Sequence, residues 1–214
     1  MSKGIHALRK NYQTIMLEKK NADKNPFMQF QIWFEEARAA QFIEPNAMNI
    51  ASVSDDGEVS SRMVLLKAFD ELGFVFFTNY NSSKAQELRT NKMAALSFWW
   101  DKLYRQVRIQ GAIEKVSHEE SEEYFHSRPR GSQIGAIASK QSSIIESYNV
   151  LEKEYQKLEK KFQDQDIPYP EYWGGYRVIP VKFEFWQGRP NRLHDRLQYV
   201  KTNSGEWRVD RLSP

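Results

Sequence analysis

The chain has 214 residues, of which 40% are hydrophobic and 28% charged, enough length and apolar content to bury a real core. It contains no cysteine, which excludes disulfides, thiolate metal sites and a cysteine nucleophile and fits a reducing cytoplasm. A net charge of +3 allows an anionic ligand without calling for nucleic acid, and no stretch approaches the roughly 18 apolar residues of a membrane span.

The start, Met1-Ser2-Lys3-Gly4-Ile5-His6, has no apolar run and does not read as a signal peptide. Residues 1–24 are polar and basic and are expected to form a flexible arm with some helix. Asn25-Pro26 then reads as a helix start, with Phe27, Phe30, Trp33, Phe34 and Ala37 following at helical spacing. Residues 48–54 and 58–67 flank Asp55-Asp56-Gly57 as a hairpin, and 73–78 is a third strand. A short helix capped by a serine is expected over 82–91. A second hairpin, 93–100 and 103–116, turns at Asp101-Lys102.

Ser117 and Glu120 form a capping box for a helix to about Ser127. Residues 131–165 read as largely helical, ended by Pro168-Tyr169-Pro170. Strands over 176–187, 197–201 and 206–212 complete the chain, the last two around Asn203-Ser204-Gly205. Hairpins with interspersed helices predict a mainly β protein with α, an antiparallel barrel with helices packed outside, as one domain over 25–214. A glycine-rich dinucleotide fingerprint and a GxxxxGKS phosphate loop are both missing.

Several segments could carry chemistry. In the strand 103–116, Val107, Ile109, Gly111 and Ile113 share one face while Gln106, Arg108 and Gln110 share the other, which is either wet or ligand-facing. Val181, Phe183 and Phe185 alternate as a core face, placing Trp186 opposite with Lys182 and Glu184, as a lone surface aromatic or a cover for a planar ligand. The run 78–84, from Thr78 to Lys84, brings hydroxyls, backbone amides and a lysine to a helix start, as either a plain cap or a phosphate cradle. Tyr124, Arg128, Arg130 and Ser132 form a further anion-binding candidate, and Arg192-Leu193-His194-Asp195-Arg196 sets two arginines around a histidine. The four histidines, His6, His118, His126 and His194, show no metal-ligand spacing, so no metal is expected.

These motifs together resemble the pyridoxamine 5'-phosphate oxidase family. The resemblance is carried by the runs 62–67, 77–79 and 82–85, by 124–132, by Gln141-Ser142, and most specifically by 185–188, 191–196 and 210–214. It implies a split β-barrel that binds FMN at a homodimer interface. Carried over by position, FMN would meet Arg62, Met63, Val64, Leu65, Leu66, Lys67, Phe77, Thr78, Ser83, Lys84, Gln106, Gln141, Ser142, Trp186 and Arg196. The substrate would meet Arg9, Tyr12, Lys67, Tyr124, Arg128, Ser132, Arg192, Leu193 and His194, with Arg192 and His194 as the catalytic pair. The implied reaction oxidises pyridoxamine or pyridoxine 5'-phosphate to pyridoxal 5'-phosphate, with oxygen as acceptor.

Two details stand apart. Ser83 occupies a position where the family usually has an arginine directed at the FMN phosphate. Loss of one charge-assisted hydrogen bond, about 1.5–3 kcal/mol, weakens binding about tenfold to a hundredfold unless Lys84 or Arg62 compensates. Arg62 and Lys67, five positions apart, face opposite sides of a regular strand, so the strand must bulge or end before Lys67 if both serve one site.

Overall fold

A computed structural model describes residues 12, 14 and 16–214. Arg9 and most of the expected N-terminal arm lie outside the described residues. In chain order the elements are α1 (Pro26–Ala39), β1 (Ala47–Val53), β2 (Val59–Leu65), β3 (Ala68–Asp70), β4 (Gly73–Asn79), α2 (Ser83–Thr90) and β5 (Met93–Trp100). They continue with β6 (Arg105–Lys115), α3 (His118–Ser127), α4 (Arg130–Ala138), α5 (Tyr148–Lys161), β7 (Trp173–Gln187), β8 (Asp195–Lys201) and β9 (Trp207–Arg211). The strands form one sheet in the order β2-β1-β5-β6-β7-β4-β3, with β8 added against β7 and β9 against β8. By contacts the chain divides into two compact units.

The first unit holds residues 1–49, 95–111 and 180–214. Its helix α1 begins as the sequence dictates: the Asn25 side chain accepts from the Phe27 amide at 2.9 Å, and proline occupies the first turn. The buried stripe of Phe27, Phe30 and Trp33 packs edge-on against Phe183, Phe98 and Phe185, with ring centroids 5.1–5.3 Å apart. Truncating one such ring to alanine costs about 3–5 kcal/mol. At the far end of the helix, Lys102 Nζ donates to the carbonyls of Ala40 and Gln41 at 3.1 and 2.7 Å.

Two expectations about β7 are corrected. Val181 is 42% exposed rather than part of the core face, because the buried parity of the strand switches from Tyr176 and Val178 to Phe183 and Phe185. Glu184, expected on the polar face opposite the core, is buried, and the carboxylate is held between Arg108 and Arg196.

The second unit holds residues 50–94 and 112–179. Here β2 stops at Leu65, short of the expected Lys67, and the Lys67 amide donates to the Val75 carbonyl at 2.8 Å. The chain then forms the short β3, which pairs antiparallel with β4 and which the sequence reading missed. Ending the strand removes the parity conflict between Arg62 and Lys67. Strand β7 begins at Trp173, three residues before the expected start, and pairs antiparallel with β4. Gly174 is required there: a Cβ would lie 2.3 Å from the Tyr80 hydroxyl.

Of the two caps read in the sequence, Ser117 accepts from the Glu120 amide at 3.0 Å, but the Glu120 carboxylate faces Arg177 at 3.5 Å, so only half of the box forms. Ser82 sits at the N-cap of α2, yet its hydroxyl donates to the Asn79 carbonyl and makes no cap bond. The stretch 131–165, read as largely helical, holds two helices, α4 and α5, separated by residues 139–147. That segment is rich in serine, whose side chain competes for backbone groups, and Ser142 takes a left-handed φ of 71°. Phe125, Ile134, Leu158, Phe162 and Ile167 bury the core shared by α3, α4 and α5.

Candidate active site

The second unit contains a cleft of about 850 Å³, a volume suited to a cofactor or a drug-sized ligand. It gathers most of the predicted positions of that unit: Arg62, Met63, Val64, Leu65, Lys67, Phe77, Thr78, Lys84, Tyr124, Arg128, Ser132 and Gln141. Leu66, which is buried, and Ser83 and Ser142, which are exposed, do not line it.

Two cationic centres define this cleft. The first is Lys84, buried at the start of α2. Its ammonium lies 2.9 Å from Thr78 Oγ1, 3.3 Å from Gln141 Oε1 and 3.4 Å from Ser82 Oγ, all neutral oxygens. Burial, then the charge of Arg62, pushes the Lys84 pKa down to about 8, against a weaker pull from Glu87. Arg62 itself is tied to Ser52, Ser60 and Glu87, the last at 3.2 Å. Burial pushes the Glu87 carboxyl up, but hydrogen bonds from Ser52 and Ser60 and the Arg62 charge outweigh it, and the net direction is down. One carboxylate therefore balances Arg62, while Lys84 keeps a charge with no carboxylate in contact among the described residues.

The second centre is Arg128, at the end of α3. The guanidinium lies 4.6 Å from the Trp173 ring centroid and 5.8 Å from that of Phe125. Its Nη1 is buried with no hydrogen-bond partner among the described residues. Burial pushes it below its ordinary pKa, although arginine stays charged. Tyr124 stacks on Phe77 at 3.9 Å, and Lys67 Nζ reaches to 6.0 Å of the Tyr124 ring. A buried lysine among neutral oxygens and a buried guanidinium nitrogen without a partner both fit phosphate oxygens, which supply charge and acceptors together.

The first unit carries the remaining predicted residues that the structure describes. Trp186 and Arg196 are direct cross-strand partners in the β7–β8 register, which puts them on one face. Arg196 is oriented by Glu184, with Nε and Nη2 both 2.9 Å from Oε1, and by the Ser213 carbonyl at 2.8 Å. Gln106 lies half-buried on β6, on the opposite face from buried Val107 and Ile109.

Between β7 and β8 the backbone turns sharply. Asn191 and Arg192 both adopt left-handed φ, 55° and 62°, a conformation that costs energy in non-glycine residues and recurs at functional sites. Arg192 and Leu193 are exposed, and the Arg192 guanidinium makes no hydrogen bond or ion pair with the described residues. His194 packs 4.6 Å from Trp186 and 5.9 Å from Tyr12, centroid to centroid. Tyr12 lies 4.4 Å from Tyr104 and over Gly188, where a Cβ would come within 2.7 Å of the Tyr12 ring. The Arg189 amide donates to His194 Nδ1 at 3.1 Å, so in the neutral ring the proton sits on Nε2. Burial and then Arg192 push the His194 pKa down, while Asp195 pulls it up.

Sequence reasoning missed Glu87, Trp173, Glu184 and Asp195, which position the predicted residues. Only Glu87 left a local signal, one helical turn from Lys84; Glu184 and Asp195 meet arginines on neighbouring strands, and Trp173 of β7 meets Arg128 at the end of α3.

The sequence matches the family described as "Pyridoxamine 5'-phosphate oxidase" over residues 34–162, and "Pyridoxine 5'-phosphate oxidase C-terminal dimerisation region" over residues 173–214. It is 58% identical over 214 residues to a pyridoxine/pyridoxamine 5'-phosphate oxidase from Gloeothece citriformis (strain PCC 7424), covering 100% of both chains. The counterpart from Nostoc punctiforme (strain ATCC 29133 / PCC 73102) is 56% identical, again over 100% of both. Among solved structures, PhzG from Burkholderia lata 383, in complex with tetrahydrophenazine-1-carboxylic acid, is 26% identical with a TM-score of 0.88, over 94% of this chain and 99% of that one. A pyridoxamine 5'-phosphate oxidase-related FMN binding protein from Nostoc punctiforme PCC 73102 is 13% identical with a TM-score of 0.71, over 89% and 98%, a likeness of fold. The fold is thus the split barrel with helices that the sequence led us to expect. Full-length identity above half, with both family regions in place, shows that this chain belongs to the pyridoxine/pyridoxamine 5'-phosphate oxidase family.

Proposed function

We propose that this chain oxidises pyridoxamine 5'-phosphate and pyridoxine 5'-phosphate to pyridoxal 5'-phosphate, using FMN and molecular oxygen. The alcohol and oxygen give the aldehyde and hydrogen peroxide. The amine, oxygen and water give the aldehyde, ammonia and hydrogen peroxide. The observation that carries this reading is the pair of cationic centres in one cleft, buried Lys84 and half-buried Arg128 with its buried Nη1, neither with a carboxylate in contact among the described residues. Such a cleft suits two phosphates, one from the cofactor and one from the substrate.

Bound FMN supplies the two-electron acceptor. We assign Lys84, Thr78, Arg62 and Gln141 to the FMN phosphate end, and Gln106, Trp186 and Arg196 to the rest of the flavin. Lys67, Tyr124, Arg128 and Ser132 hold the substrate phosphate, remote from the reacting carbon. Arg192 and His194 orient the pyridine ring and its reacting substituent. A neutral His194 whose Nδ1 is already occupied presents Nε2–H as a hydrogen-bond donor to that ring.

The reading includes a homodimer, supported by the match to the dimerisation region, in which the two groups of residues in one site come from two subunits. It also includes a cytoplasmic location; among the described residues no helix is long and apolar enough to cross a membrane. Oxygen uptake tests the function. Protein reconstituted with FMN should consume oxygen and release peroxide with either phosphorylated substrate, and FMN absorbance should travel with the protein on gel filtration. Stable FMN binding without turnover of either substrate would refute the oxidase reading.

A further inference from the structure

We propose that Asp195 is a positioning residue whose carboxylate seats the Tyr12 segment against His194. The inference rests on the reading that His194 faces the substrate. Asp195 is the first residue of β8, directly after His194, and is 5% exposed. All of its partners come from the first unit. Oδ1 accepts from Arg211 Nη1 at 2.8 Å, and Oδ2 accepts from the Leu17 amide at 3.1 Å and pairs with Arg189 Nε at 3.4 Å. The two arginines then reach back to the same segment. Arg211 Nη2 donates to the Leu17 carbonyl at 2.8 Å, and Arg189 Nη1 donates to the Thr14 carbonyl at 2.5 Å.

The described residues from Tyr12 to Glu18 have no regular secondary structure, so no ladder fixes them. Their position depends on side chains that take up their backbone groups, and each such bond must offset the entropy of ordering the segment. One carboxylate organises three of them: the Leu17 amide directly, the Leu17 carbonyl through Arg211 and the Thr14 carbonyl through Arg189. Thr14 Oγ1 donates to the Gly188 carbonyl, and Tyr12 then lies across Gly188, between Tyr104 and the Trp186–His194 pair. The same node fixes the other side of the contact, because the backbone amide of Arg189 donates to His194 Nδ1. Asp195 thereby links the residue that orients the ring to the residue that covers it, with its own carboxylate taken up by Arg211, Arg189 and the Leu17 amide.

Asp195→Asn tests this in the FMN-loaded protein, since it keeps an oxygen for the Leu17 amide and removes the charge that holds both arginines. The KM for pyridoxine 5'-phosphate should rise about tenfold, with kcat per bound FMN changed less than threefold. Trypsin should cleave after Lys19 and Lys20 several-fold faster than in the parent protein. In a Tyr12→Ala background, Asp195→Asn should raise KM no further, because both changes remove one seat. A merely structural role would lower bound FMN and kcat and would multiply with Tyr12→Ala; that result, or unchanged KM and cleavage, overturns the proposal. Should Asp195→Asn fail to retain FMN, Arg211→Gln cuts the link to the Leu17 carbonyl and should give the same pattern at about threefold; an unchanged KM and cleavage rate there overturns it equally. The cleavage readout needs no turnover. If the parent protein bound FMN without oxidising either substrate, faster cleavage in Asp195→Asn would still support the seat while the oxidase reading failed.

Discussion

The cleft of the second unit and the turn between β7 and β8 in the first do different physical work. In the cleft, buried Lys84 lies against neutral oxygens and half-buried Arg128 against aromatic faces, an arrangement that suits an anion and that we assign to binding a phosphate alike in ground and transition states. At the turn, Arg192 sits on left-handed backbone and His194 packs beside Trp186 and Tyr12, an arrangement we assign to fixing direction more than to adding affinity. The contrast teaches that binding strength and reacting geometry are separable here, so substitutions should divide cleanly into those that change KM or cofactor affinity and those that change the chemical step.

The largest effect should come from the turn. Arg192→Ala should lower the limiting rate of flavin reduction about a hundredfold, because small displacements of the reacting carbon are costly, and should leave FMN bound. Pre-steady-state reduction checks it. Next, Arg128→Ala should raise the substrate KM about tenfold to a hundredfold with kcat within about twofold, the loss of one charge-assisted phosphate contact. Steady-state kinetics with each substrate separate the two parameters.

Lys84 gives a pH test of the cleft alone. In FMN-free protein its pKa is lowered to about 8 from an ordinary 10.5. The folded state sheds this proton before the unfolded chain does, so this group's contribution to stability should increase as pH rises from about 8 towards 10.5. FMN affinity should move the opposite way and fall above about pH 8, since the phosphate prefers the charged lysine. Thermal melts with and without FMN across that range check both signs, and Lys84→Met should flatten both trends. The smallest effect is expected from Ser83→Arg, which adds a guanidinium at the exposed start of α2; FMN binding should tighten up to about tenfold, less at high salt, as read by fluorescence titration.

Much of this was legible in the sequence because it is local. Asn25-Pro26 and the aromatic stripe set α1, Asp55-Asp56-Gly57 set the first hairpin, and the alternation around Val107 and Ile109 placed Gln106 on the other face. The failures are of two kinds. Serine-rich chain between α4 and α5 carries helical neighbours on both sides, so composition alone hid the break that places Gln141 beside Lys84. The residues that orient the site, Glu184 for Arg196, Trp173 for Arg128 and Asp195 for the Tyr12 segment, act across pairings far apart in the chain. Glu184 in particular read only as a member of a polar face, and only the two arginines brought to it make a buried carboxylate tolerable.

Anaerobic stopped-flow reduction of the bound flavin by pyridoxamine 5'-phosphate, run in parallel on Arg128→Ala and Arg192→Ala, tests the division of labour most directly. Arg128→Ala should reach the parent limiting rate at a much higher substrate concentration, while Arg192→Ala should saturate at a rate about a hundredfold lower. An Arg192→Ala protein that reached the parent limiting rate once saturated, or an Arg128→Ala protein whose limiting rate collapsed, would contradict that division.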